Sequence, residues 1–420
     1  MNTIAHRTDS SPSSTRGKSS LRRRFTSLTL GFTVSGWVIL AGADSRAQTP
    51  AAAPPKPPPP TQAQLASSIE RGVASLLGSQ NSNGWWSTAD QPAVTALVLT
   101  ALNREPSGRF TRRRPSELNR AYDFILSSVK PDGSIHRGGM ANYNTSLSLL
   151  ALATADDPRF LPVIRGAREY LAGTQIDFGT TNVADDPFDG GVGYGSKYQH
   201  SDLNNTLTAI EAMRWSERVL PRDANGAPSD AKDLNWAAVA QFIQNCQNLP
   251  SRNPAAWVSD NPADKGGFVY YPGESKAGGT TNAATGKVAL RSYGSISYAG
   301  LLSYIYAKVT KEDPRVLAVL DWLSGNYTLE ENPGMGQEGY FYYLHLMTKA
   351  LTAAQIDTLR LRDGREVRWR EEVASRLLAL QQPDGSWVNA NPRWWEADRN
   401  LVTAYVVLTL ELLHATAPKA

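Results

Sequence analysis

The chain has 420 residues, with 43 Lys and Arg against 39 Asp and Glu (net charge +4), 41% hydrophobic residues and one cysteine. A single cysteine excludes an intramolecular disulfide framework and leaves stability to the core, which a chain of this length can supply. Seven of the 43 basic and two of the 39 acidic residues fall within positions 1–47, leaving 36 and 37; so near-neutral a remainder gives no electrostatic footprint for nucleic acid.

The basic N-terminus contains Arg22, Arg23, Arg24 and Phe25, followed by an apolar run (SLTLGFTVSGWVILAGA) and a small-x-small site at Ser45-Arg46-Ala47. This order predicts an export signal over 1–47, by the general or the twin-arginine route, and a periplasmic or extracellular protein. If the segment stays uncleaved, the apolar run tethers the protein to the membrane. Residues 48–63 (QTPAAAPPKPPPPTQA) read as an extended, disordered Pro/Ala spacer.

From 64 to 416 the chain reads as one helical domain. Gln80, Gly84 and Trp86 recur at the same spacing as Gln381, Gly385 and Trp387, each set following an apolar stretch of helical period. Gly permits the left-handed turn that stops a helix, Gln can bond the neighbouring helix terminus, and the indole covers an adjacent helix. The turn Lys130 to Ser134 is a degraded third copy, with Val129 and Ile135 at the Gln and Trp positions.

Six units follow, each a one-sided outer helix, a glycine-rich loop and an inner helix apolar nearly all round. The inner segments are AVTALVLTALN, YNTSLSLLALAT, LNNTLTAIEAM, SISYAGLLSYIYA, YFYYLHLMTKAL and LVTAYVVLTLELL. The predicted fold is therefore all-α, a single (α/α)6 toroid of two concentric rings. Cys246, at the end of an amphipathic helix, reads as a buried inert thiol. The Asp185 to Gly195 loop has a composition that allows calcium, but its spacing matches no calcium loop and it reads as a turn.

On its triplets and helical units the chain resembles the terpenoid cyclase and protein prenyltransferase superfamily of α/α toroids, those with prenyltransferase and squalene oxidase repeats. That resemblance implies an apolar, isoprenoid-like ligand in a central cavity. The Asp-x-Asp-Asp acid of squalene and hopene cyclases is missing; the nearest strings, Thr154 to Asp157 and Val183 to Asp186, lack the first aspartate and precede proline. Gln244 stands two residues before Cys246, so the Asp-x-Cys zinc pair of prenyltransferases is missing too, and neither metal nor cofactor is expected. A thioester Cys-Gly-Glu-Gln sequence is likewise missing.

The starts of the inner helices converge on one mouth, which makes their polar residues the candidate site. His345, Glu396, Asp398 and Asp202 are the candidate catalytic groups: His345 facing Glu396 or Asp398 has the ingredients of a general acid and base. Tyr143, Asn144, Asn205, Tyr298, Tyr342, Tyr343, Trp394 and Trp395 are the candidate ligand-binding residues, whose aromatic faces suit a hydrocarbon or a carbocation. Each has a plainer reading: Asn144, Asp202 and Asp398 stand where helix caps stand, the aromatics fit wall packing, and His345 fits a satisfied core position. Two other functions stay open. One is an exported polysaccharide lyase or glycosidase acting on a glycan, with Asp202 and Glu396 as its carboxyl pair; the other is a non-catalytic scaffold presented to an envelope protein.

Overall fold

The computed structural model describes residues 58–195, 199–222 and 232–418. The predicted export signal and the spacer as far as residue 57 lie outside them. Thirteen helices occur among the described residues: α1 (Gln62–Gly78), α2 (Pro92–Arg104), α3 (Arg109–Arg112), α4 (Ser116–Leu126), α5 (Ala141–Thr154), α6 (Leu161–Gly173), α7 (Leu203–Ser216), α8 (Trp236–Asn245), α9 (Gly294–Tyr306), α10 (Pro314–Gly325), α11 (Tyr340–Ala353), α12 (Trp369–Leu380) and α13 (Arg399–His414). Two small antiparallel hairpins interrupt them. β1 (Gly279–Thr281) pairs with β2 (Val288–Leu290), Thr280 opposite Ala289, and β3 (Leu359–Arg360) pairs with β4 (Glu366–Val367), Leu359 opposite Val367.

The six segments expected inside form the inner ring: α2, α5, α7, α9, α11 and α13 each pack on the next, and α13 packs on α2 to close the circle. Every residue of α2 except Arg104 is buried, whereas the outer helix α4 buries one stripe of Leu118, Ala121, Tyr122, Phe124 and Ile125. That contrast is what a helix packed on all sides, against one packed on a single side, requires of its sequence. Some hydroxyls of the inner ring bond back along their own helices, as Thr100 does to the Ala96 carbonyl (2.8 Å) and Ser146 to that of Asn142 (2.7 Å), whereas those of Ser148, Ser303 and Thr348 are buried without a partner.

The repeated triplets fasten the outer ring. Gln80 Nε2 donates to the carbonyls of Gly84 (3.0 Å) and of Glu117 in α4 (2.9 Å), while Trp86 Nε1 donates to Leu76 in α1 (2.7 Å). Gln381 Nε2 likewise reaches Gly385 (2.9 Å) and Ser68 in α1 (3.0 Å), and Trp387 Nε1 reaches Leu377 (2.8 Å). Gly84 has φ +95°, and a Cβ there would lie 2.4 Å from the Arg120 carbonyl oxygen, so both the turn and the close approach demand glycine.

Two further copies emerge only in three dimensions. Gln175 Nε2 donates to Gly190 (2.9 Å) and to Asn235 before α8 (3.1 Å); Gln247 Nε2 donates to Gly266 (2.9 Å) and to Arg315 in α10 (2.9 Å). Gly190 and Gly266 have φ +85° and +98° and pack against the Ala238 and Ala318 carbonyls as Gly84 packs against Arg120. Val192 and Phe268 take the place of the tryptophan, their amides bonding Thr206 (2.9 Å) and Ser297 (3.0 Å).

Candidate functional site

Five of the six inner helices surround a cavity of about 550 Å³ along their length, entered at their N-terminal ends. α9 meets it only through Tyr293 and Ser295; α7 and α11, which flank α9, bond directly to each other across the gap. Near the mouth the Tyr342 hydroxyl lies 3.4 Å from Asn204 Oδ1, and near the opposite end Lys349 Nζ lies 2.5 Å from Glu211 Oε2.

The mouth is aromatic. Tyr143 of α5, Tyr342 of α11 and Tyr405 of α13 line it with Tyr194, Tyr270 and Tyr271 from the two long loops before α7 and α9. Tyr270 and Tyr194 hydroxyls lie 3.2 Å apart, His200 packs on Tyr271 (centroids 4.4 Å), and Lys276 Nζ sits 4.6 Å from the centre of the Tyr270 ring. Trp394 and Trp395 form the rim, 40% and 49% exposed, in a short turn where both adopt left-handed backbone (φ 52° and 67°). Two consecutive bulky residues in that region are costly, and strain of this kind is characteristic of sites that bind.

The walls between mouth and floor are apolar: Leu97, Leu147, Leu150, Leu207, Leu346 and Leu408. His345 interrupts them. The Thr409 hydroxyl donates to the Tyr405 carbonyl (2.7 Å), so the 3.0 Å contact between it and His345 Nδ1 must have the imidazole as donor. The ring is then the Nδ1–H tautomer, with a lone pair on Nε2. Burial, aided by the charges of Lys349 and Arg104, holds its pKa well below the ordinary value, so it is a neutral base at neutral pH.

Of the other predicted catalytic groups, Glu396 reaches the lining but serves α11. Its carboxylate accepts from Tyr342 N (2.7 Å), Phe341 N (3.3 Å) and Asn389 Nδ2 (2.7 Å), capping a helix whose N-cap residue, Gly339, has no side chain for the task. Burial raises its pKa against those bonds. Asp202 caps α7 through Asn205 N (2.9 Å) and Nδ2 (2.6 Å), and burial pushes it up to about 6. Asp398 caps α13 through Asn400 N (2.9 Å) and Leu401 N (3.1 Å). Neither aspartate is among the lining residues, and His345 bonds Thr409 rather than Glu396.

Among the predicted ligand-binding residues, Tyr143, Asn205, Tyr342, Trp394 and Trp395 line the cavity. Asn144 instead bonds Ala93 N (2.9 Å) at the start of α2, Tyr343 donates to the Thr328 carbonyl (2.8 Å), and Tyr298 packs on Tyr343 (5.8 Å), all away from the lining. Sequence reasoning did not single out Tyr194, Tyr270, Tyr271, Lys276, Tyr405 or the charged floor. The floor had a signal: Glu211 and Lys349 are charges within otherwise apolar inner helices.

Among the described residues no three His, Cys, Asp or Glu side chains gather as a metal site. In the loop before α7, Asp189 accepts from Phe178 N (2.7 Å) and Asp186 N (2.8 Å), and Asp185 from Thr180 N (3.1 Å), so these carboxylates brace the turn itself. Cys246 is buried, and burial pushes its thiol well up, away from the reactive thiolate.

No family model and no curated relative matches the chain. Among solved structures it is similar to the type II terpene cyclase MstE from Scytonema, in a variant complexed with merosterolic acid A, with TM-score 0.51 and 15% identity over 84% of this chain and 98% of that one. It is also similar to a family 76 glycoside hydrolase from a bovine Bacteroides thetaiotaomicron strain, with TM-score 0.51 and 11% identity over 84% of this chain and 78% of that one. Both likenesses establish the fold, an α/α toroid of the kind found in the terpenoid cyclase superfamily and in these hydrolases. Function must come from the site.

Proposed function

We propose that the protein is an exported toroid that binds or transforms an apolar, isoprenoid-like small molecule in its central cavity. The observation that carries this is the leucine wall between an aromatic mouth and a polar floor. The volume lies within the roughly 300–1,000 Å³ of small-molecule sites. A hydrocarbon there would lie against leucine side chains, and His345 Nε2 is the base available to it. An open cavity also favours a ligand over a purely scaffolding role.

Glycoside hydrolysis needs two carboxyl groups facing each other across the sugar. The lining carboxylates are Glu211, ion-paired to Lys349, and Glu396, committed to α11, which weighs against that reading. Mass spectrometry of an organic extract of protein purified from its own cells tests the proposal. A stoichiometric apolar lipid is expected, and Leu150→Trp, which fills the cavity while keeping the wall apolar, should abolish it. Extracts equally empty for both proteins would sink the proposal.

A further inference from the structure

The floor of the cavity carries a guanidinium that no ion pair among the described residues engages. Arg104 ends α2 and lines the cavity. Among the described residues its guanidinium has no carboxylate within 4 Å and no hydrogen-bond partner, and the Trp215 ring of α7, which Arg218 also faces (4.0 Å), lies 5.2 Å from its Cζ. The neighbouring charges are otherwise engaged. Glu211 takes Lys349 (2.5 Å) and the Tyr306 hydroxyl (3.2 Å); Glu105 accepts from Ser107 (2.5 Å) and faces Arg109 (4.0 Å). Glu411 of α13 is buried with both oxygens unpartnered; burial pushes its pKa well up and the charge of Arg104 acts against that, so the two groups sense each other without a direct bond.

A plainer role is available, because an arginine in the last turn of a helix complements its dipole. That role is served by a side chain lying along the terminal carbonyls or in solvent. Here the side chain turns into the cavity and rests on an indole. A guanidinium so placed offers a planar fork of donors suited to an oxyanion, and the absence of a direct ion pair leaves those donors to a ligand.

We propose that Arg104 is the head-group site of the cavity, receiving the carboxylate of an amphipathic ligand whose hydrocarbon part lies along the leucine walls. This rests on the apolar-cavity reading above and adds the charge of the ligand and its direction, anionic end at the floor and tail toward the tyrosine mouth. Trp215 lies beside the guanidinium, and the Lys349–Glu211 pair bounds the site.

The test uses the full chain and two probes of one skeleton, farnesoic acid and farnesol, with binding measured by calorimetry at pH 8. Wild type should bind the acid at least tenfold more tightly than the alcohol. Arg104→Met should erase that preference while alcohol binding and the thermal midpoint hold, and Arg104→Lys should retain part of it. Equal binding of both probes by wild type, or a preference that survives Arg104→Met, would overturn the head-group site and leave the apolar cavity standing. Binding of neither probe would overturn both.

Discussion

The ion pair between Lys349 and Glu211 joins α11 to α7 past the intervening α9, and removing one partner tests whether it holds the ring. Their side chains are 13% and 7% exposed, and at 2.5 Å the gross attraction is about 7 kcal/mol for an effective dielectric of about 20. Most of that offsets desolvation, so the net worth of the intact pair is small. Breaking it leaves a buried charge alone, at a cost of about 3–5 kcal/mol. Lys349→Met should therefore destabilise by that amount, Glu211→Leu by less because Lys349 can turn toward the cavity, and Lys349→Met with Glu211→Leu should recover most of the loss. Urea denaturation of the four proteins at pH 7 gives the coupling energy, expected above ~1.5 kcal/mol and nearly unchanged between 0.1 and 1 M NaCl, because salt screens exposed pairs and not enclosed ones. Coupling below ~0.5 kcal/mol, or lost in high salt, would show that the pair is solvated and that α7 and α11 are held by other contacts.

Glu411 should make stability depend on pH. Folded, it keeps its proton above the ordinary carboxylate range; unfolded, it releases it, so the folded state binds more protons and stability falls as pH rises through the ordinary value. Glu411→Gln should thus be more stable than wild type at pH 8, by more than ~1 kcal/mol, with the gap closing below pH ~4; a gap of constant size would contradict this. Gln247→Ala should cost about 2–4 kcal/mol, since it strands the buried carbonyls of Gly266 and Arg315 and the Tyr304 hydroxyl (2.9 Å). Gln241→Ala in α8, which removes a half-buried amide bonded to Asn245 one turn on (2.9 Å), should cost no more than about 1 kcal/mol in the same denaturation assay. Gly190→Ala and Gly273→Ala separate two effects. Both have φ near +90°, but a Cβ at 190 meets the Ala238 carbonyl oxygen at 2.1 Å and one at 273 meets nothing within 4 Å. The second should cost about 1–2 kcal/mol for conformation alone, the first well beyond that, and equal losses would refute the close-approach account.

The rings were legible because burial on all sides and burial on one side leave different patterns in sequence, and all six inner segments carry the former. The Gln–Gly fastening was legible only where four residues separate the pair, at Gln80 and Gln381. At Gln175 and Gln247 the inserted loops move the glycine 15 and 19 positions away, which erases the local pattern while the hydrogen bonds stay the same. Site residues divide similarly. Tyr342 and His345 could be found because they sit on an inner helix; Tyr194, Tyr270 and Tyr271 lie on the loops that follow Gly190 and Gly266, whose path no periodicity encodes. Asp202 and Asp398 show the opposite difficulty. A cap and a catalytic carboxylate occupy the same place in sequence, and only the direction of the side chain, here onto amides of its own helix, tells them apart.

Gln62 N donates to the Pro418 carbonyl (3.0 Å), Gln62 Nε2 to that of His414 (3.2 Å), and α1 packs on α13. The two ends of the toroid are thus neighbours, and the polypeptide is a circle that happens to be cut there. A permuted chain joined at this seam and opened in the exposed turn between β1 and β2 would keep every inner-ring contact. Vectorial synthesis has the complementary consequence: α1, made first, keeps its apolar stripe without its final partner until the last helix leaves the ribosome, so the circle shuts late and in one step.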